Sequence, residues 1–121
     1  MTKKKRGLPS DTLVEKFTML SGLLNSVYTE MKELSKKKPD EPLNKFKVKN
    51  VNRVLEQVKE VLKDEPTIEF LDLLDDETLP SNSDAILIIG QYIASMRSFR
   101  NKFTNEYNRW KTIENPEGER V

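Results

Sequence analysis

Residues 83–113 read SDAILIIGQYIASMRSFRNKFTNEYNRWKTI, and this stretch decides the fold. Ser83 and Asp84 are typical of a helix start, because short polar side chains accept hydrogen bonds from the free amides of a first turn. Apolar residues then recur every three or four positions, at Ile89, Tyr92, Met96, Phe99, Phe103, Tyr107 and Trp110. This spacing predicts one long helix over 83–113 with a continuous apolar stripe along one side.

The first turns of this predicted helix are apolar nearly all round. Ile86, Leu87, Ile88 and Ile89 are consecutive. A helix that is hydrophobic on every side is buried on several sides or meets another chain. We therefore interpret these four residues as candidates for self-association or for binding a partner.

A second long helix is predicted from residue 10 to residues 36–38, ending before Pro39. Ser10 is a suitable cap, and apolar residues follow at alternating steps of four and three, at Leu13, Phe17, Leu20, Leu24, Val27, Met31 and Leu34. A seven-residue repeat of this kind is typical of helical bundles. Leu23 lies beside this stripe and widens it, so we expect it to contact a further neighbour or a partner.

The remaining chain predicts a third long helix and one short one. The turn Pro39–Pro42 is followed by a helix over about 43–63, with an inner face of Val51, Val54, Leu55, Val58, Val61 and Leu62. Residues 69–74 are predicted to form a short helical segment that covers the bundle. Because short connections favour antiparallel neighbours, we predict an all-α, up-down-up bundle of three long helices plus one short helical segment.

A chain of 121 residues is the size of one domain. We expect residues 1–9 to be a flexible basic arm, residues 10–113 a single helical-bundle domain, and residues 114–121 a polar C-terminal tail. The prolines and the turn residues fall between helices, and nothing in the composition indicates a linker between two domains.

Composition excludes several classes of function. The chain has no Cys and no His, which removes disulfides, thiolate zinc sites and the commonest general base. The net charge of +1 indicates no partner by itself. No apolar run approaches the roughly 20 residues of a membrane span. We predict no catalytic residue, cofactor or metal, and we expect a cytoplasmic protein.

Basic residues are unevenly distributed along the chain. In an up-down-up bundle, the end of the first helix, the start of the second and the end of the third share one end. That end, the predicted basic pole, contains Lys36, Lys37, Lys38, Lys45, Lys47, Lys49, Arg53, Arg109, Trp110 and Lys111. Acids between Asp64 and Asp84 are expected at the other end. Lysines in the first turns of a helix oppose its dipole, which favours an acidic partner; the alternative is that these lysines are ordinary exposed residues.

Three functions from different classes remain open at this point. The favoured one is a non-enzymatic adaptor, inhibitor or assembly factor that uses an apolar helix face and the basic pole. Its partner is another protein or a second copy, with a dimer as the commonest homo-oligomer. The alternative is an accessory protein that binds nucleic acid at the basic pole, because basic residues beside aromatic rings suit phosphates and bases.

The third option is a magnesium-dependent nucleotide hydrolase. Glu30 and Glu33, and likewise Glu69 and Asp72, form carboxylate pairs three residues apart. These pairs are similar to motifs of the all-α nucleotide pyrophosphohydrolases, in which paired carboxylates hold Mg²⁺. Chance pairs are expected among twenty acids, and the predicted topology places the two pairs at opposite ends. We rank this function last.

Overall fold

A computed structural model describes residues 7–120 and consists of helices joined by irregular segments. The helices are α1 (Asp11–Lys37), α2 (Lys45–Val61), a 3₁₀ helix (Pro66–Phe70) and α3 (Asn82–Lys102). The predicted all-α bundle of three long helices plus one short helical segment is confirmed, but the short helix lies at Pro66–Phe70 and not at the predicted residues 69–74. Residues 1–6 of the predicted basic arm and Val121 lie outside the described residues.

Polar caps determine where the three long helices begin. The hydroxyl of Ser10 accepts from the Leu13 amide, Asn44 Oδ1 accepts from the Lys47 amide, and the Ser81 hydroxyl accepts from the Asp84 amide. Each cap satisfies an amide that has no partner within its helix. The long third helix is therefore capped by Ser81, two residues before the start that the sequence predicted.

The third helix begins at the end of the bundle where α1 finishes. The Leu43 amide donates to the Pro80 carbonyl over 2.9 Å, and the Asn82 amide donates to the Glu41 carbonyl over 2.8 Å. The side chain of Asn82 also donates to the Lys38 carbonyl over 2.8 Å. We call residues 38–44 and 80–83 the turn end of the bundle.

The bundle consequently runs up, down, down, and the predicted up-down-up path needs this correction. From the turn end, α3 runs antiparallel to α1 and parallel to α2. The reason is residues 62–81, of which we interpreted residues 69–74 as a local cover. An extended chain spans about 3.3 Å per residue against 1.5 Å for a helix, so this segment is long enough to return along the whole of α2.

This return segment, residues 62–81, fills the space between α2 and α3. Asn52 of α2 donates to the Leu74 carbonyl over 2.9 Å and accepts from the Leu74 amide over 2.8 Å. The hydroxyl of Tyr92, on α3, donates to the Asp72 carbonyl over 2.8 Å. Burial raises the pKa of that hydroxyl well above its usual range, which keeps it a neutral donor. Most contacts between helices are therefore made by α1, which packs against both α2 and α3.

The third helix ends at Lys102, well before the predicted end at Ile113. The Thr104 hydroxyl donates to the Arg100 carbonyl over 2.8 Å, and Asn105 Oδ1 accepts from the amides of Tyr107 and Arg109. Asn108 has a φ of 63°, which no helix contains. Side chains of Thr and Asn compete for backbone partners and favour turns, and here they end the helix although its apolar stripe continues.

Residues 103–120 fold back over the other end of the bundle, which we call the terminal end. Trp110 packs against Phe17 with ring centroids 5.0 Å apart, and Phe17 stacks on Phe99 at 5.3 Å. The Ile113 amide donates to the carbonyl of the buried Pro9 over 2.9 Å. Phe103 and Trp110 of the predicted stripe thus still pack in or against the core, although they lie beyond the end of the helix, whereas Tyr107 is exposed.

The predicted polar tail is also part of this end, as far as residue 120. The Asp11 amide donates to Glu114 Oε1 over 3.0 Å, and Asn105 Nδ2 donates to the Gly118 carbonyl over 3.1 Å. Gly118 is buried with a φ of 67°, and a Cβ there would lie 2.7 Å from Asn105 Nδ2. The expected boundary at residue 113 is therefore corrected, because residues 114–120 hydrogen-bond to the bundle.

Candidate functional site

An open groove lies between α1 and α2, on the side where no return segment covers them. Its volume is about 810 Å³. Apolar side chains make up most of its lining, namely Met19, Leu20, Leu23, Val27, Met31, Leu34, Phe46, Val51 and Val54. The polar lining residues are Glu30, Lys47, Asn50, Arg53, Glu56 and Gln57. We call this feature the α1/α2 groove.

The first helix supplies one wall and most of the floor. Leu20 and Met31 belong to the buried core and form the floor. Met19 and Leu23 are one helical turn apart beside them and are 55% and 48% exposed. Residues four apart lie on the same side of a helix, so the two side chains form a continuous apolar edge.

The second helix supplies the opposite wall. Phe46 lies in its first turn and is 75% exposed, the largest exposed fraction among the large apolar side chains of residues 7–120. Asn50, Arg53 and Gln57 follow it at steps of four, three and four, so all of them lie on one side of α2. Val54 is half-buried beside them and continues the apolar floor.

The groove contains charges of both signs. Its charged lining residues are Glu30 and Glu56 against Lys47 and Arg53. Within residues 7–120, ion pairs join Lys36 to Glu33, Lys38 to Glu41 and Lys102 to Glu65. None of the four groove charges takes part in them, so these charges are available to a molecule that enters the groove.

The structure divides the predicted basic pole between the two ends. Lys36, Lys37, Lys38, Lys45, Lys47 and Lys49 lie at or near the turn end, and Arg53 is in the middle of α2. Arg109, Trp110 and Lys111 lie at the terminal end, where the Lys111 amide donates to the Phe103 carbonyl over 2.7 Å. We correct the prediction accordingly and call the first seven residues the basic cluster.

The direction of α3 explains this division. Because α3 starts at the turn end, the residues that follow it are carried to the opposite end. Trp110, which we placed in the binding surface, is half-buried against Phe17. Acids are not gathered at one end either, since Glu65 pairs with Lys102 at the terminal end while Asp84 lies in the first turn of α3.

The predicted apolar contact residues do not form one surface. Ile89 is fully buried, and Ile86 and Ile88 are partly buried against the core. Leu87 is 64% exposed and lies on the outer side of α3 with the exposed Asp84 and Gln91. Leu23, the fifth predicted residue, lies in the α1/α2 groove. The surface predicted near Ile86–Ile89 is corrected to the single exposed side chain of Leu87.

The two carboxylate pairs lie in different parts of the fold. Glu30 and Glu33 are on α1, Glu69 is in the 3₁₀ helix, and Asp72 is in the return segment. Within residues 7–120, no group of three or more acidic side chains is placed to hold a metal ion. No helix in that part of the chain has the length and apolarity needed to cross a membrane.

Sequence reasoning missed Met19, Phe46 and Val54 as lining residues of the groove. A signal existed for Met19, which lies one turn before Leu23 and so extends the same apolar edge. No comparable signal existed for Phe46, because its exposure depends on the angle at which α2 leaves the turn.

No protein-family model matches this chain, and neither the curated proteins nor the solved structures contain a match to it.

Proposed function

We propose that this chain is a non-enzymatic interaction protein of the cytoplasm, an adaptor, inhibitor or assembly factor that binds a protein in the α1/α2 groove. One observation carries the proposal: the exposed side chains of Met19, Leu23 and Phe46 converge on a single groove. Apolar side chains scattered singly over a surface need no explanation, whereas a contiguous patch is typical of an interaction site.

The energetics support a protein as the occupant. Burying a large apolar side chain completely is worth roughly 1.5–3 kcal/mol, and these three side chains are about half to three-quarters exposed. A partner that covers them gains about 1–2 kcal/mol from each by the same relation. A groove between two helices suits an amphipathic helix, which inserts its apolar face and leaves its polar face to solvent.

Site-specific photo-crosslinking tests the proposal directly. A photoreactive residue at position 23 should give a covalent protein adduct in the native cell, because the groove is occupied there. The matched control places the same residue at position 87, where the replaced side chain is 64% exposed but lies outside the groove. Equal labelling at both positions, or no adduct at position 23, would contradict the proposal.

A second candidate function is nucleic-acid binding by the basic cluster. The observation that favours it is the exposed Phe46 ring between Lys45 and Lys47 at the turn end. An aromatic ring beside lysines provides a stacking surface for a base together with charges for phosphates. Affinity for single-stranded DNA or RNA should then fall steeply with salt.

Paired variants separate this candidate from non-specific attraction. Replacing Lys45 and Lys49 by Glu should weaken binding severalfold at low salt. Replacing Arg109 and Lys111 by Glu, an equal change of charge at the terminal end, should have little effect. Equal losses from the two double variants, or no binding at low salt, exclude the basic cluster as a nucleic-acid site.

A further inference from the structure

We propose that a second copy of this chain occupies the α1/α2 groove and forms a two-fold symmetric dimer. The inference rests on the proposed function and names the occupant of its groove. In the dimer, α1 of one copy packs against α2 of the other, so that the two helix pairs form a four-helix bundle.

The α1/α2 pair has an uncovered apolar side, whereas the chain itself covers the apolar space between α2 and α3. Between α2 and α3, the return segment inserts the buried Leu71 and Leu74. Between α1 and α2, no described segment covers Leu23 or Phe46. A helical pair with the same apolar edge, supplied by a second copy, completes this side in the manner of a four-helix bundle.

The charges in the groove complement themselves under a two-fold operation. The groove is lined by two acids and two bases, so its charged lining residues sum to zero although both bases, Lys47 and Arg53, belong to the basic cluster. Glu30 and Lys47 also line a second, shared hollow with Leu34. Measured along the helix axes, Glu30 of α1 therefore lies level with the first half of α2. A two-fold axis parallel to the helices therefore brings Glu30 of each copy near Lys47 and Arg53 of the other. In a two-fold symmetric interface, each of these contacts occurs twice.

The size of the groove fits a dimer of modest affinity. Residues 19–34 of α1 span about 22 Å at the helical rise per residue. Fifteen residues line the groove, somewhat fewer than the roughly 20–30 on each side of a standard interface. We expect a dissociation constant of about micromolar order, since affinity at such areas varies from micromolar to far tighter.

Sedimentation velocity of the full-length chain over about 1–500 µM tests the proposal. The wild type should convert from one chain to two over this range. Leu23→Glu should remain a single chain, and Leu87→Glu, an equally polar change on the outer side of α3, should dimerise like the wild type. Circular dichroism of each variant verifies that it is folded.

Charge-reversal variants test the two-fold pairing itself. Glu30→Arg alone, and the double variant Lys47→Glu/Arg53→Glu alone, should each dimerise about tenfold more weakly, because like charges then face each other. An equimolar mixture should recover wild-type affinity as a heterodimer, since the introduced arginine of one chain then meets the two introduced glutamates of the other. Changes inside a single chain do not depend on mixing, so recovery reports contacts between copies.

Three results would overturn the dimer: a wild type that stays a single chain at 500 µM, a dimer that survives Leu23→Glu, or a mixture that shows no recovery. The proposed function fails separately, when a crosslinker at position 23 captures no protein. A monomeric chain that is crosslinked at position 23 to a different protein contradicts the dimer and supports the interaction function.

Discussion

Single polar side chains hold the return segment in place between α2 and α3. Asn52 satisfies both the amide and the carbonyl of Leu74, at 2.8 and 2.9 Å. Tyr92 satisfies the carbonyl of Asp72 in the same way from α3. An extended segment inside a helical protein has no sheet neighbour, so side chains must supply its hydrogen bonds. Lys59 Nζ also donates to the Leu71 carbonyl over 2.8 Å, so these three side chains together hold the segment in place.

We expect Asn52→Ala to destabilise the protein by about 1–3 kcal/mol, because two backbone groups of Leu74 lose their partner. Asn50→Ala is the matched control on the same helix, since Asn50 is bonded to the Phe46 carbonyl of its own helix. It should change stability by less than about 0.5 kcal/mol. Urea unfolding monitored by circular dichroism measures both, and equal effects would refute this role of Asn52.

At the scale of one element, α2 has charges that oppose its own dipole. Its first turn contains no acid, and Lys45, Lys47 and Lys49 occupy three of its first five positions. By contrast, α1 and α3 each have an Asp in the first turn and basic residues in the last. Positive charge near a helix N-terminus costs typically 0.3–1 kcal/mol per residue. The cap from Asn44 offsets part of this cost.

Lys45→Glu should therefore stabilise the protein, by about 0.5–1 kcal/mol at low ionic strength. Lys49→Glu, one turn further from the helix start, should have a smaller effect because the dipole interaction is confined to the first turn. Thermal unfolding at low salt and again at high salt measures the change, and the gain should shrink as salt screens it. A Lys45→Glu protein that is less stable than the wild type would show that this lysine has a structural partner.

The whole molecule is closed at the terminal end by residues from both ends of the chain. Trp110 lies against Phe17 of α1 and, at 6.1 Å, against Phe99 of α3. Arg100 lies over its ring at 5.7 Å. The hydrogen bond from the Ile113 amide to the Pro9 carbonyl joins the same region to the start of α1. Residues 103–120 are thus part of the core rather than an appendage.

Trp110→Ala should cost about 2–4 kcal/mol, because it opens a cavity beside the rings of Phe17 and Phe99. Tyr107→Ala is the control from the same loop, since Tyr107 is exposed, and it should cost less than about 1 kcal/mol. Denaturant unfolding by circular dichroism measures both variants. In the wild type, fluorescence of the single Trp should change together with helix content; an earlier fluorescence change would show that this end unfolds independently.

Much of the fold was predictable from the periodicity of apolar residues, and the site much less so. The repeat from Leu13 to Leu34 predicted α1, and the turn Pro39–Pro42 predicted its antiparallel neighbour. Leu23 was singled out beside that repeat, and the structure places it in the α1/α2 groove. Phe46 was not placed in an apolar contact surface, because apolar character alone does not show whether a residue in a first turn faces the core or solvent.

The amino-acid sequence by itself determined which segments form helices, because helical periodicity and polar caps act over a few neighbouring residues. Tertiary structure decided the direction of α3 and the path of the return segment. Each of these depends on contacts between residues far apart in the chain, such as Asn82 with Lys38 and Asn52 with Leu74. The placement of Arg109 and Lys111 away from Lys47 follows from the same contacts, since local patterns carry no information about which ends of the helices meet.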